Sequence, residues 1–398
     1  MAPDASDSSV PSTGLARLLI QLDMPGEIEL PDGSVFSTGN HGSPAFRVVF
    51  RSKRALKTPM TELGVGRAFI KGDIDVEGDL DILFDVRNKL QDKVPLRQKL
   101  QFAWDKMRTM TKMNFGAIKS HYGRDDSFYL TFLDKRFRFY SHCLFNSPTE
   151  SLETASQNKM EAIFSHLGIQ KGMRILDIGG GWGGVTQYCA TRGVHVTTLT
   201  LGENGAVFIR KLIADNKLFG DVLLEDYFDH CPKEPYDHAV SLGSIEHMPD
   251  YRRFARKTWS LLKPGGRLYL DGSAAVEKYA VSAFAREYLW TGTHTYMTVQ
   301  DVVGELLYHG FALLRVNGDT RDYHLTMLEW ARRLDQGKDA IIAGWGEETY
   351  RVFRLMMWGG QHAFKVNDLQ AYSLVVQKTE SPGPRPSSIR RFLRGFAS

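Results

Sequence analysis

The residues with the most chemistry to offer lie in the stretch Arg174-Ile-Leu-Asp-Ile-Gly-Gly-Gly-Trp-Gly-Gly184. A short apolar strand, Ile175 to Ile178, ends in a glycine-rich turn. A helical pattern follows through Val185, Tyr188 and Cys189. Glycines accept positive φ and let a ligand lie against the backbone. The free N–H groups at the helix start favour an electron-rich ligand. Gly179, Gly181 and Gly184 fit the Gly-x-Gly-x-x-Gly spacing of a dinucleotide site. Asp177, directly before the glycines, argues against that ligand. Its carboxylate repels a pyrophosphate and attracts an α-amino group. S-adenosylmethionine (SAM) carries a sulfonium and an ammonium but no phosphate, so charge pairing favours it over NAD. Trp182 and Gly183 leave the approach wide and flat.

Further candidates follow the next strand ends. Thr198-Leu-Thr-Leu-Gly-Glu203 ends where a ribose-binding residue belongs, and Glu203 fits either that role or an exposed helix start. In Glu225-Asp226-Tyr227, Asp226 is placed to meet an adenine amino group. Ser244-Ile-Glu-His-Met248 puts Glu246 and His247 at the mouth of the site. A carboxylate after a central strand, beside the glycine loop, has little structural reason to be there, so Glu246 is the leading catalytic candidate.

The positioning elements alternate. Strands are expected at Ile175–Ile178, Val194–Leu199, Val222–Leu224, His238–Ser241 and Arg267–Leu270, with helices at Val185–Thr191, Ala206–Asn216 and Tyr251–Leu262. Lys263-Pro-Gly-Gly-Arg267 reads as a tight turn. This pattern predicts an α/β fold: a doubly wound, mostly parallel sheet with ligands beyond the carboxyl ends of its strands. Helices at Tyr279–Trp290, Val299–Tyr308, Thr326–Arg333 and Glu347–Met357 and strands at Phe311–Val316 and Gln370–Gln377 complete a domain over residues 126–380.

Upstream, residues 15–90 read as a small α+β domain. It has a helix at Leu15–Leu22, strands near Glu27–Leu30, Val35–Phe36 and Phe46–Arg51, helical spacing from Arg51 to Leu63, and a turn from Phe69 to a helix near Asp79. Residues 91–125 read as a basic linker helix with interleaved apolar side chains, suited either to a lipid surface or to its own protein. The aromatic run from His121 to Phe145 suits core or pocket wall. Residues 1–14 and 381–398 read as flexible tails, the latter with a basic-apolar tip.

The composition, 42% apolar and 24% charged over 398 residues, is that of a soluble globular chain. A net charge of +4 gives no case for nucleic acid. The start lacks a signal peptide pattern, and no apolar run nears the ~20 residues of a membrane span. Cys143, Cys189 and Cys231 show neither metal nor disulfide spacing. A cytoplasmic setting is expected, peripheral at most to the membrane inner face.

Taken together, Leu176 to Gly184, Leu199-Thr-Leu, Asp226-Tyr227, Ile245-Glu-His and Leu262-Lys-Pro-Gly-Gly-Arg-Leu resemble the cyclopropane-fatty-acid synthase family of SAM-dependent methyltransferases. So do Phe128-Tyr129, Leu133-Asp134, Tyr140-Ser141, the helix from Ser151, and the segment Ala68 to Leu80. The resemblance spans roughly residues 30 to 378. It implies a Rossmann-like SAM methyltransferase domain behind a small N-terminal domain. It implies that an alkene of a lipid acyl chain takes the SAM methyl, and that a bicarbonate, held by Cys, Glu, His and Tyr, removes a proton to close a ring. It puts Tyr140, Ser141, Asp177, Gly179, Gly181, Trp182, Gly183, Thr200, Leu201, Asp226, Tyr227 and Ser244 around the cofactor. Glu246 matches the Glu and Tyr323 the Tyr. His142 stands at the Cys position and Asp271 at the His position, while Gly180 and Gly205 replace a loop Cys and a Gln.

The extra carboxylate of Asp271 disfavours a bicarbonate by like charge. Glu246, Asp271 or His142 is then expected to take the proton directly, or the anionic side chains steady the cation, and the product is a methyl or methylene branch. The alternatives are a methyltransferase or SAM-binding cyclase for a soluble terpenoid or polyketide, a SAM-binding fold without transfer, and, more remotely, an NAD oxidoreductase. A homodimer is compatible with all of these.

Overall fold

The computed structural model describes residues 14–21, 23–39, 42–84, 126–278, 280–289 and 294–381. The expected tail over residues 1–13, the basic linker helix and the C-terminal tip lie outside the described residues. The described chain forms two compact units.

The first unit holds residues 14–84 together with Ser282–Leu289 and Ala331–His362. Its sheet has four strands, β1 (Gly26–Glu29), β2 (Val35–Thr38), β3 (Phe46–Phe50) and β4 (Ile74–Gly78), in the order β2-β1-β3-β4. Ile28, Phe46, Val48, Phe50, Ala68 and Ile74 form its core with Leu15 and Leu19 of the first helix, Leu15–Ile20. The helical spacing over Arg51–Leu63 resolves instead into a short turn of 3-10 helix, Ala55–Lys57, and a helix, Glu62–Ile70. Pro59 explains the break, because the residue before a proline is driven extended. Thr58 has ψ 127°, and Thr61 then caps the helix by accepting from Gly64 N–H at 3.0 Å. The expected turn after Phe69 contains β4.

The late-chain helices complete this unit. Arg351 donates to Phe69 O (3.0 Å) and pairs with Asp75 (3.1 Å), while Arg67 grips Glu287 through two hydrogen bonds. Lys338–Trp345 is a helix that sequence periodicity did not flag.

The second unit contains the expected α/β sheet. Its strands are β5 (Arg174–Ile178), β6 (His195–Thr200), β7 (Gly220–Leu224), β8 (Tyr236–Leu242), β9 (Leu262–Ala274), β10 (Phe311–Gly318) and β11 (Gln370–Lys378), in the order β10-β11-β9-β8-β5-β6-β7. Strands β5 to β9 pair in parallel, and β11 enters antiparallel between β9 and β10. Ile175, Leu176 and Ile178 are all buried, as expected of a central parallel strand covered on both faces. The Lys263–Arg267 turn is absorbed into β9. The register against β8 jumps there from Tyr236↔Leu262 to His238↔Arg267.

Helix Leu152–Leu167 starts with the Ser151 hydroxyl accepting from Thr154 N–H and ends at Gly168 in the left-handed region. The helix expected at Tyr279–Trp290 is confined to Ala283–Tyr288, because Ser282 caps it at Ala285 N–H. Tyr279 and Trp290 lie outside the described residues. Among the described residues no helix is long and apolar enough to cross a membrane.

Candidate active site

A cleft of about 1220 Å³, counting its solvent-open mouth, lies at the carboxyl ends of β5, β6, β7 and β8. This is where an open parallel sheet places its ligands. The N–H groups of Gly179 and Gly180 both donate to Leu199 O, at 2.9 and 3.1 Å, fastening the loop to β6. Gly179 has φ +87°, and a β-carbon at Gly180 would lie 2.0 Å from Thr198 Cγ2. Thr198 thus fills the space that a side chain on the loop would need. It also touches Asp177, whose other oxygen, Oδ2, is buried with no hydrogen-bond partner among the described residues. Burial pushes the Asp177 carboxyl up to about 7, against a hydrogen bond from Thr198.

Asp134 folds the next wall. Its carboxylate accepts from the N–H groups of Arg136, Phe137 and Phe139, and so delivers Phe137, Phe139 and Tyr140 to the cleft. Tyr140 stacks on Trp330 at 5.4 Å and packs edge-on to Trp182. Phe128 and Phe132 of the same aromatic run lie in the core.

Of the expected cofactor residues, Tyr140, Ser141, Asp177, Gly179, Gly181, Trp182, Thr200, Leu201, Tyr227 and Ser244 line the cleft. Gly183 and Asp226 do not. Gly183 sits at φ +73° before helix Gly184–Ala190, and Asp226 turns away to accept from Phe228 N–H at 2.8 Å. Glu225, one residue earlier, lines the cleft and meets His230 Nδ1 at 3.0 Å. The Ser244 hydroxyl donates to Ile178 O, and the Tyr227 hydroxyl pairs with Thr258, so Tyr227 offers the cleft its ring.

The four expected catalytic residues do not line the cleft. Glu246, His142 and Asp271 form a buried polar layer, and the half-buried Tyr323 packs beside His142. Gly243, in the cleft lining, donates its N–H to Asp271 Oδ1 at 2.9 Å. Asp271 Oδ2 lies 2.7 Å from Lys159 Nζ, with both side chains fully buried. Lys159 also donates to Ser141 Oγ (2.8 Å) and His142 O (2.6 Å). Its charge is therefore committed to Asp271 and to the Tyr140–His142 loop.

Glu246 anchors one oxygen on Ser273, through the N–H (2.8 Å) and the hydroxyl (2.7 Å), while Oε2 is buried and unpartnered. Burial raises its pKa, Ser273 opposes this, and Asp271 adds to it. His142 meets Asp319 Oδ2 through Nε2 at 3.2 Å, and its ring lies 5.2 Å from that of Tyr323. Tyr323 stacks on Phe364 at 4.3 Å.

Sequence reasoning missed Lys159, Ser273, Glu225 and Asp319. Lys159 was detectable. It lies on the apolar stripe of its helix, seven residues after Leu152 and four before Ile163, where a solvated lysine has no place.

The family profile described as mycolic acid cyclopropane synthetase matches residues 109–374. A probable fatty acid methyltransferase of Mycobacterium tuberculosis is 27% identical over 379 residues, covering 84% of this chain and 86% of its own. The hydroxymycolate synthase MmaA4 of the same organism is 27% identical over 277 residues, covering 64% and 90%. The crystal structure of the mycolic acid cyclopropane synthase CmaA1, complexed with SAH and CTAB, superposes with a TM-score of 0.62 at 26% identity, covering 67% of this chain and 99% of that one.

Proposed function

The chain belongs to the mycolic acid cyclopropane synthetase family, and from that premise we propose that it methylates the double bond of an unsaturated lipid acyl chain. The enzyme class is that of SAM-dependent methyltransferases, and SAM is the cofactor. The cleft fits SAM: a β-carbon placed at Gly181 would meet nothing within 4 Å, which leaves room for a ligand against the backbone there, and Asp177 holds an unpartnered buried oxygen for a cation. Bound there, SAM supplies an electrophilic methyl group. Relatives named for fatty acid and mycolate substrates support a lipid chain, as do the aromatic rings at the cleft.

The observation that carries the product reading is the Lys159–Asp271 ion pair. It occupies the position where the resemblance implies a histidine beside a bicarbonate. The lysine charge is already committed to Asp271 and is not left to balance a bicarbonate, which would meet the like charge of Glu246. A protein group then takes the proton, and a methyl- or methylene-branched chain is the outcome.

The test is incubation with SAM and vesicles of an unsaturated phospholipid, with and without bicarbonate. The product is weighed, and ozonolysis separates a methylene from a ring of equal mass. Branched product at an unchanged rate without bicarbonate is expected. A cyclopropane whose formation depends on bicarbonate would sink the reading, and methylation of a soluble terpenoid but not the vesicles would move the substrate.

Asp177 adds a pH dependence. With its pKa raised to about 7, the carboxylate that pairs with a cationic ligand is lost as pH falls below that value. SAM affinity should therefore weaken roughly tenfold per pH unit below about 7 and level off above it. Without ligand the sign reverses, because burying the charge costs stability as pH rises from about 4 to about 7. Calorimetric titration across this range checks the first, and a flat profile in Asp177→Asn ties it to the residue.

A further inference from the structure

We propose that His142, held in position by Asp319, takes the proton that the methylated acyl chain must lose. The inference rests on the acyl-chain reading above. Three groups of the buried layer compete for the role, each with one buried atom that has no hydrogen-bond partner among the described residues, and the charge around that atom separates them. Asp271 accepts from Gly243 N–H at Oδ1, and its Oδ2, though without a hydrogen bond, is held in an ion pair by the Lys159 ammonium at 2.7 Å. Glu246 is tied at Oε1 and keeps Oε2 unpartnered, and its negative charge suits it to steadying the cation. His142 is fully buried, with Nε2 on Asp319 and Nδ1 without a partner.

The tautomer follows from Asp319. Burial works against ionising it, but the hydrogen bond to His142 keeps its carboxyl below the ordinary range. An ionised carboxylate only accepts, so Nε2 carries the hydrogen and Nδ1 presents a lone pair. Asp319 is itself clamped. Its N–H donates to Ala371 O at 2.8 Å, and its carbonyl accepts from Tyr323 N–H at 2.9 Å. The charged and titratable groups around the imidazole are Asp319, Asp322, Tyr323 and, on its own carbonyl, Lys159.

The electrons balance. The alkene π pair forms the new C–C bond to the methyl group, and the C–S pair stays on sulfur. The neighbouring carbon is left cationic. After a hydride shift has moved the cation to the methylated carbon, the proton goes to Nδ1 and its C–H pair becomes the π pair of a methylene. The imidazolium formed is paired with the Asp319 carboxylate. A cation that is not deprotonated is captured by water as an alcohol.

The experiment follows methyl incorporation and product identity separately in the full-length enzyme. His142→Ala should keep methyl incorporation within roughly tenfold and divert product to the hydroxylated chain, and added imidazole should restore the deprotonated product. Asp319→Asn should divert product in the same direction, with KM for SAM unchanged and kcat for the deprotonated product down roughly 10²-fold. If His142→Ala fails to fold, His142→Gln, which keeps a neutral polar side chain toward Asp319, takes its place. Unchanged product in folded His142 variants overturns the proposal. A wild-type enzyme that leaves acyl chains unmethylated overturns the underlying reading instead.

Discussion

Glu246→Gln should lower turnover roughly 10²–10³-fold while SAM affinity stays within about twofold. The substitution keeps the shape of the side chain and an acceptor for Ser273 N–H and Oγ, so the turn Ile245–His247 keeps its anchor. What it removes is the negative charge on Oε2, which is buried and unpartnered. In a site of low dielectric, a fixed anion next to a developing carbocation is worth several kcal/mol, far more than in water. Because burial raises the pKa of Glu246, the wild-type rate should climb with pH as this group ionises, and the variant should lose that limb. Kinetics with a labelled methyl donor, next to calorimetric SAM titration, separate the two effects. Full turnover in the variant would remove Glu246 from the chemistry.

Lys159→Met should cost about 3–5 kcal/mol of stability, because it leaves Asp271 buried and uncompensated. That is a large share of a typical total of about 5–15 kcal/mol. The midpoint of thermal unfolding should fall on the order of 10 °C. Adding Asp271→Asn removes the stranded charge and should return most of the loss, since a buried pair is costly to break and cheap to replace. Denaturant unfolding of the four proteins of this cycle gives the coupling. A Lys159→Met protein of unchanged stability would mean that Asp271 is neutral in the fold and that the pair does not exist as an ion pair. It would also reopen the anion site that the product reading treats as closed.

Much of the second unit was legible because its information is local. The apolar run ending in Asp177 and the glycines, the alternating strands and helices, and the Ser151 and Gly168 signals at the ends of one helix each declare an element within a few residues. Strand β4 was not legible. Glycines and acids interrupt its short pattern, and it forms by pairing with β3. The helix read across Arg51–Leu63 failed at Pro59, where local chemistry overrode apolar spacing.

The first unit shows the same limit at larger scale. Asp75 and Phe69 find their partner in Arg351, more than 270 residues away, and no window of sequence relates them.

What the sequence determined by itself was the fold class and the cofactor, and its resemblance to a family singled out His142 and Asp271 as an exchange of two residues. All of these depend on the order of residues along short segments. Only the tertiary structure decided what that exchange means. A lysine from helix Leu152–Leu167 neutralises Asp271, and an aspartate from the end of β10 orients His142. Burial makes these pairings obligatory, because a charge taken out of water must find its partner wherever the fold brings one.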